Sequence, residues 1–330
     1  MNNVALSVTN LDVGYRTSRG VVPALRDVSL DLYHDEILGL VGESGSGKST
    51  LAQTMMRLIQ PDVLKISGQV HVGEHDLYAL SVEQLREVRW NRIAMVFQSS
   101  MNALNPVLSI QAHFTDTFLA HRPGMSLPEI RERTAFLLQQ VRLKRDVAEN
   151  YPHELSGGMR QRVVIALALA LDPAILIMDE PTTALDVVVQ RSILTEIREI
   201  QRNRQLAVLL ISHDFSLVAS LAHRIAVMYA GQLLEITDAN MKAEDARMHH
   251  PYTEGLIAAI PQLLGDRVQI AGIPGEPPDM LRLGDGCPFY ERCPKHIARC
   301  RSNPLPSRSG RTYIRCHVVS EGGITHGQGQ

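Results

Sequence analysis

The stretch "GESGSGKST" at 42–50 has the residue types and spacing needed to hold phosphate. It fits G-x-x-x-x-G-K-[ST] and stands between an apolar run, "EILGLV", and a segment that reads as a helix. Glycines let successive backbone N–H groups turn into one concavity, and the following helix adds its positive end. In this pattern Lys48 reaches the β and γ phosphates and the Ser49 hydroxyl can ligate Mg²⁺. A second chemical phrase is "AILIMDEP" at 174–181, a buried run ending in two carboxylates. At the carboxyl edge of a parallel sheet, Asp179 would hold Mg²⁺ and Glu180 would polarise an attacking water. Capping of the next helix is an alternative use of the same pair, one that the neighbouring phosphate pattern makes the weaker reading.

These residues need elements to position them. The first forty residues alternate apolar and polar, as antiparallel strands do. "EILGLV", "AILIM" and "LAVLLIS" (206–212) are short buried-strand runs, with the amphipathic "VVVQRSILTEIREIQRN" between the last two. "SVEQLREVRWNRIAMVFQ" reads as helix then strand, and about 100–165 is mostly helix. Strands alternating with helices predict an α/β fold: a P-loop NTPase core on a mostly parallel sheet, with an antiparallel β subdomain and a helical subdomain. From about 235 the chain becomes loop-rich. The expected division is 1–235 for the main domain and 236–330 for an extension.

One further phrase completes the set. "ELSGGMRQR" (154–162) places Ser156, Gly157 and Gly158 at a predicted helix start. With "MDEP", "ALD" (184–186) and "SHD" (212–214) in that order, residues 4 to 235 resemble an ABC-type ATPase subunit. The resemblance implies ATP and Mg²⁺ as ligands, with Gly42, Ser44, Gly45, Gly47, Lys48, Ser49 and Thr50 around the phosphates. It implies that Tyr15 stacks on adenine, that Gln98 senses Mg²⁺ and links to the transporter, and that Asp179 holds the metal. Glu180 and His213 take catalytic roles beside Lys48 and Gln98, His213 on the γ-phosphate. Asp186 would couple two subunits, although an Asp there can simply cap. "LSGGM" departs from the commoner "LSGGQ", with little consequence expected. In the family the Ser156–Gly158 segment completes an ATP site of a second subunit, so a head-to-tail ATPase partner, a paralogue by preference, is implied.

All four cysteines, Cys287, Cys293, Cys300 and Cys316, fall in the last fifty residues. Five, six and fifteen residues separate neighbours, which is not zinc-ribbon spacing. "HHPYTEGLIAAIP" (249–261) and "GCPFYERC" resemble the C-terminal extension of the dipeptide/oligopeptide/nickel branch of ABC importers, and "FQSSMNALNP" (97–106) fits that branch. The resemblance implies a [4Fe–4S] cluster on the four thiolates, with zinc or reduced thiols as alternatives. Arg292, Arg299, Arg301, Arg308, Arg311 and Arg315 stand around them, either offsetting cluster charge or as solvated surface. It also implies two membrane permease subunits, docked through "SMNALNPV" (100–107), and an extracytoplasmic substrate-binding protein. A location on the cytoplasmic face of the membrane follows.

Bulk properties agree. A net charge of −2 gives no reason to expect nucleic acid as a partner, and no secretory signal is seen at the start. Two rivals differ in class: a soluble ABC ATPase of DNA repair, translation or iron–sulfur assembly, and a non-catalytic metal-binding regulator. Only 104 residues separate Thr50 from Leu155, too few for the long coils of repair ATPases. Glu180 and His213 speak against the regulator.

Overall fold

A computed structural model describes residues 3–18, 20–59, 64–98, 103–183, 185–239, 249–259, 272–304 and 306–322. In chain order the elements begin with strands β1 (Val4–Thr17), β2 (Gly20–Tyr33) and β3 (Ile37–Val41), then helix α1 (Lys48–Met55). Next come β4 (Leu64–Val72), β5 (His75–Asp76), α2 (Val82–Val88), β6 (Ile93–Val96), α3 (Ile110–His121), α4 (Leu127–Gln140) and α5 (Gly157–Ala168). Then follow β7 (Ile175–Asp179), α6 (Val187–Arg204), β8 (Ala207–Ile211), α7 (Phe215–Leu221), β9 (Arg224–Tyr229) and β10 (Gln232–Asp238). The chain closes with α8 (Pro251–Ala258), β11 (Ser307–Ser309), β12 (Thr312–Ile314) and α9 (His317–Gly322). No described helix is long and apolar enough to cross a membrane.

The chain forms two compact units. One gathers residues up to Ser7, Asp31–Ile37 and Val70–Ile211. Within it β6, β7 and β8 are parallel neighbours, Val96 opposite Met178 and Asp179 opposite Ile211. β7 and β8 are buried at every position, as the unbroken apolar runs require of parallel strands covered on both faces. The helices of this unit start where side chains can cap them. Ser81 with Gln84 and Ser126 with Glu129 form capping boxes for α2 and α4, satisfying N–H groups that the first turn leaves open.

The other unit holds Val8–Leu30, Leu38–Gln69 and the chain from Ser212 onward. Here β3 and β9 are parallel, Val41 opposite Val227. β9 and β10 form an antiparallel hairpin, and β12 pairs antiparallel with both β10 and β11. The extension expected as loop therefore contributes two strands and two helices, α8 and α9. Strands of three residues are too short to show an alternation in sequence. Antiparallel pairing is present in the first unit as well, where β4 and β5 set His71 opposite Asp76.

Candidate nucleotide site

β3 is buried along its whole length and delivers the chain to Gly42. The loop turns there and α1 opens at Lys48, as the sequence pattern predicts. Gly47 has φ 102°, and a Cβ on it would lie 2.7 Å from the Ala24 carbonyl oxygen, so glycine is required on both counts. Lys48 is buried, and its ammonium donates to the carbonyls of Gly42 (2.7 Å) and Glu43 (2.9 Å) and to Ser46 Oγ (3.3 Å). These contacts hold the cation on the loop, from where it can meet phosphate oxygens. Ser44 and Gly45 are exposed, and Ser49 and Thr50 fall in the first turn of α1. Tyr15 is tied to that turn by a 3.1 Å hydrogen bond between its hydroxyl and Thr50 Oγ1. His213 is exposed just ahead of α7, which Asp214 caps by accepting from the Leu217 N–H (3.0 Å). The Ser212 N–H donates to the Leu40 carbonyl at 3.2 Å, joining this segment to β3.

The carboxylates lie in the other unit. Asp179 closes β7 and is 2% exposed. Glu180 leaves the strand with φ 46°, a left-handed backbone rarely adopted by residues with a side chain, and its N–H donates to the Ile211 carbonyl (3.0 Å). Its carboxylate accepts from Gln98 Nε2 (3.1 Å) and Thr183 Oγ1 (3.0 Å). Gln98 and Glu180, 82 positions apart, are thus brought together because β6 and β7 are parallel neighbours. Thr183 is absent from the sequence-based set, although its place in the turn after Glu180 would have marked it. Of "ALD", Ala184 lies outside the described residues. Asp186 caps α6, accepting from the Val188 and Val189 N–H groups at 3.0 Å, so the capping use of this residue is realised.

Ser156 caps α5 by accepting from the Met159 N–H (3.3 Å), and Gly157 and Gly158 form its first turn. A Cβ on Gly158 would come within 2.7 Å of Val189 Cγ1. Close packing on α6 is therefore a reason for glycine at this position. Arg162 fixes the same pair of helices: Nε and Nη2 donate to the Glu196 carboxylate (2.9 and 2.7 Å), and Nη2 also to Ser192 Oγ (3.1 Å). In the stretch proposed for permease docking, residues 100–102 lie outside the described residues. Of the remainder, Leu104 is buried and Val107 is 75% exposed.

The four cysteines converge: the Cys287 N–H donates to the Cys300 carbonyl (2.9 Å), and Cys287 is electrostatically coupled to the other three. Three of the four, Cys293, Cys300 and Cys316, are buried. Burial pushes Cys287 up to about 12 and raises Cys293 and Cys316. Among the described residues no group of three or more His, Cys, Asp or Glu stands in metal-holding geometry. The residues as placed give no support to the expected [4Fe–4S] cluster or to zinc. Four of the six arginines have partners other than the cysteines. Arg292 binds Glu43, Arg315 binds Asp27, Arg301 donates to Tyr290, and Arg308 lies over the Tyr313 ring.

Known proteins place this arrangement. Residues 25–183 match the ABC transporter family model, and residues 245–300 match the model for the oligopeptide/dipeptide transporter C-terminal region. The dipeptide transport ATP-binding protein DppD of Bacillus subtilis is 44% identical over 89% of this chain and 88% of its own. The oligopeptide transport ATP-binding protein OppD of Salmonella typhimurium is 40% identical over 92% and 90%. Among solved structures, the dimeric ABC transporter cassette MJ0796 superposes with a TM-score of 0.64 at 28% identity, covering 72% of this chain and all of that one. CbiO1 of Clostridium perfringens, part of an ABC transporter complex, gives 0.62 at 27% over 72% and 90%. The names of DppD and OppD, dipeptide and oligopeptide transport ATP-binding proteins, favour the importer reading over the repair, translation and assembly alternatives. The chain belongs to the ABC transporter family, among its oligopeptide/dipeptide transport ATP-binding proteins.

Proposed function

We propose that this chain is the ATP-binding and ATP-hydrolysing subunit that powers an importer for peptides or related small solutes. The carrying observation is Glu180, held off its strand by a left-handed backbone and oriented by hydrogen bonds from Gln98 and Thr183. A carboxylate fixed in this way suits a general base for the attacking water. Gly42, Ser44, Gly45, Gly47, Lys48, Ser49 and Thr50 cradle the phosphates, and Tyr15 meets the adenine. His213 contacts the γ-phosphate. Ser49, Gln98 and Asp179 would hold Mg²⁺, whose charge neutralises the β and γ oxygens. Asp179 is a buried strand-end carboxylate and Ser49 stands in a helix's first turn, donor types suited to that ion. Ser156, Gly157 and Gly158 serve the ATP of a second subunit, a paralogue in a head-to-tail pair.

Residues 1–235 act as the ATPase domain, with 100–165 as its helical part, and 236–330 as the extension. Two permease subunits receive the exposed stretch that includes Val107, on the cytoplasmic face of the membrane, and an extracytoplasmic binding protein supplies the solute. The cysteines enter as buried thiols of the extension, and no step of hydrolysis runs through them. Native mass spectrometry on the tagged chain, purified from its own membranes in mild detergent, tests the assembly. Two permease chains plus a second ATPase are expected. Recovery without membrane chains would overturn the importer reading.

A further inference from the structure

We propose that Arg292 of the C-terminal extension is a positioning residue for the phosphate-binding loop, acting through Glu43, so that ATP affinity depends on how the extension is docked. The inference rests on the ATPase reading above and adds to it a second function for the extension.

The guanidinium carries five N–H groups, and each has an acceptor. Nε donates to the Pro274 carbonyl (2.8 Å). Nη1 donates to Glu43 Oε2 (2.8 Å) and the Tyr229 hydroxyl (3.1 Å), and Nη2 to Glu43 Oε1 (3.0 Å) and the Ile273 carbonyl (3.2 Å). The two bonds to Glu43 form a fork-to-fork pair, the most directional contact available to an arginine. Its side chain is only 8% exposed, with the rings of Tyr229 and Phe289 centred 5.6 and 5.9 Å from Cζ.

Glu43 is the residue that follows Gly42 in the loop, and it is gripped at three points. Its carboxylate is held by Arg292, its backbone N–H donates to the Tyr252 hydroxyl (3.0 Å), and its carbonyl accepts from Lys48 (2.9 Å). Tyr252 belongs to α8 and is fully buried against Phe289, with ring centroids 5.3 Å apart. A connected path therefore runs from the extension through one loop residue to the loop lysine. Farther along, a cavity of about 190 Å³ is lined by Glu43, Ser44 and Ser46 of the loop and by Pro277, Pro278 and Met280 of the extension.

Charge gives the pair its consequence. The motif leaves the position of Glu43 open to any residue type. A bare carboxylate there would stand beside a triphosphate and repel it, whereas one neutralised by a buried arginine would not. Arg292 thus removes a repulsion as well as fixing the loop's entry.

The test is ATP–Mg²⁺ affinity of the full chain, measured by titration with a fluorescent ATP analogue, for wild type, Arg292→Ala, Arg292→Lys and Arg292→Ala combined with Glu43→Gln. Arg292→Ala is expected to weaken binding about tenfold, within the range usual for coupled sites. The effect should appear in KM more than in kcat. Arg292→Lys, which keeps the charge but loses the fork, should fall between the two and serves if the alanine variant does not fold. Adding Glu43→Gln to Arg292→Ala should recover affinity by removing the repelling charge, which a merely structural role would not do. By reciprocity, ATP–Mg²⁺ should protect the extension from limited proteolysis in wild type and less so in Arg292→Lys. Wild-type affinity in a folded Arg292→Lys, or no recovery in the double variant, would overturn the inference. A wild-type chain that binds no ATP would instead bring down the ATPase reading itself.

Discussion

Glu180 shows how much one residue's backbone can matter. A left-handed φ on a glutamate persists only where surrounding contacts fix it, and the Ile211 carbonyl and the Gln98 and Thr183 side chains do so here. The acid pair was legible in the sequence because "MDEP" closes an apolar run, but the partnership with Gln98 was not. It depends on which strands become neighbours. His250 makes a separate prediction at this scale. It caps α8 through Nδ1, which accepts from the Tyr252 N–H (3.1 Å), and burial lowers it from 6.5 to about 3. The unfolded chain therefore binds the extra proton throughout the window between those values, so stability rises with pH there and falls on acidification. The slope contributed approaches about 1.4 kcal/mol per pH unit. Glu235, which accepts from the His250 N–H, and His249, paired with Glu235, face the same spot. Urea unfolding from pH 4 to 7 should accordingly be compared between wild type and His250→Asn, which keeps a capping side chain. A shallower slope in the variant is expected, and an identical slope would refute the assignment.

Among the elements, legibility followed length and burial. β3, β7 and β8 were visible as unbroken apolar runs, and α4 and α6 as periodic ones. "RIAVMY" carries the signal of a buried strand and forms β9. β11 and β12 were illegible because three residues show no period, and their pairing with β10 is a tertiary fact. The join between α5 and α6 was also hidden, since Arg162 and Glu196 look like surface charges one helix apart. Glu196 is in fact buried at 4% side-chain exposure, so removing its partner would strand a charge. Arg162→Ala should destabilise the chain by about 3 kcal/mol, the lower end for such pairs because Arg142 stands 4.0 Å from the same carboxylate. Denaturant unfolding measures it. A loss under about 1 kcal/mol, the scale of a surface pair, would contradict the buried-pair account.

For the whole molecule, the residues assigned to nucleotide chemistry are divided between two compact units. Tyr15, the loop 42–50 and His213 belong to one, and Gln98, Ser156–Gly158, Asp179 and Glu180 to the other. The motif order in the sequence was enough to identify the family because each motif lies at a strand end or helix start, where local sequence carries the signal. The extension was legible as a separate region but not in its contacts. Six arginines near four cysteines suggested charge compensation, whereas Arg292 is committed to the phosphate loop and Arg315 to Asp27. The most direct test of the account is ATP turnover by the complete transporter reassembled in lipid vesicles, comparing wild type with Glu180→Gln. The account predicts a fall in kcat of about 10²–10⁴-fold with ATP binding retained, as expected when a general base is removed. Turnover at the wild-type rate in Glu180→Gln would contradict it.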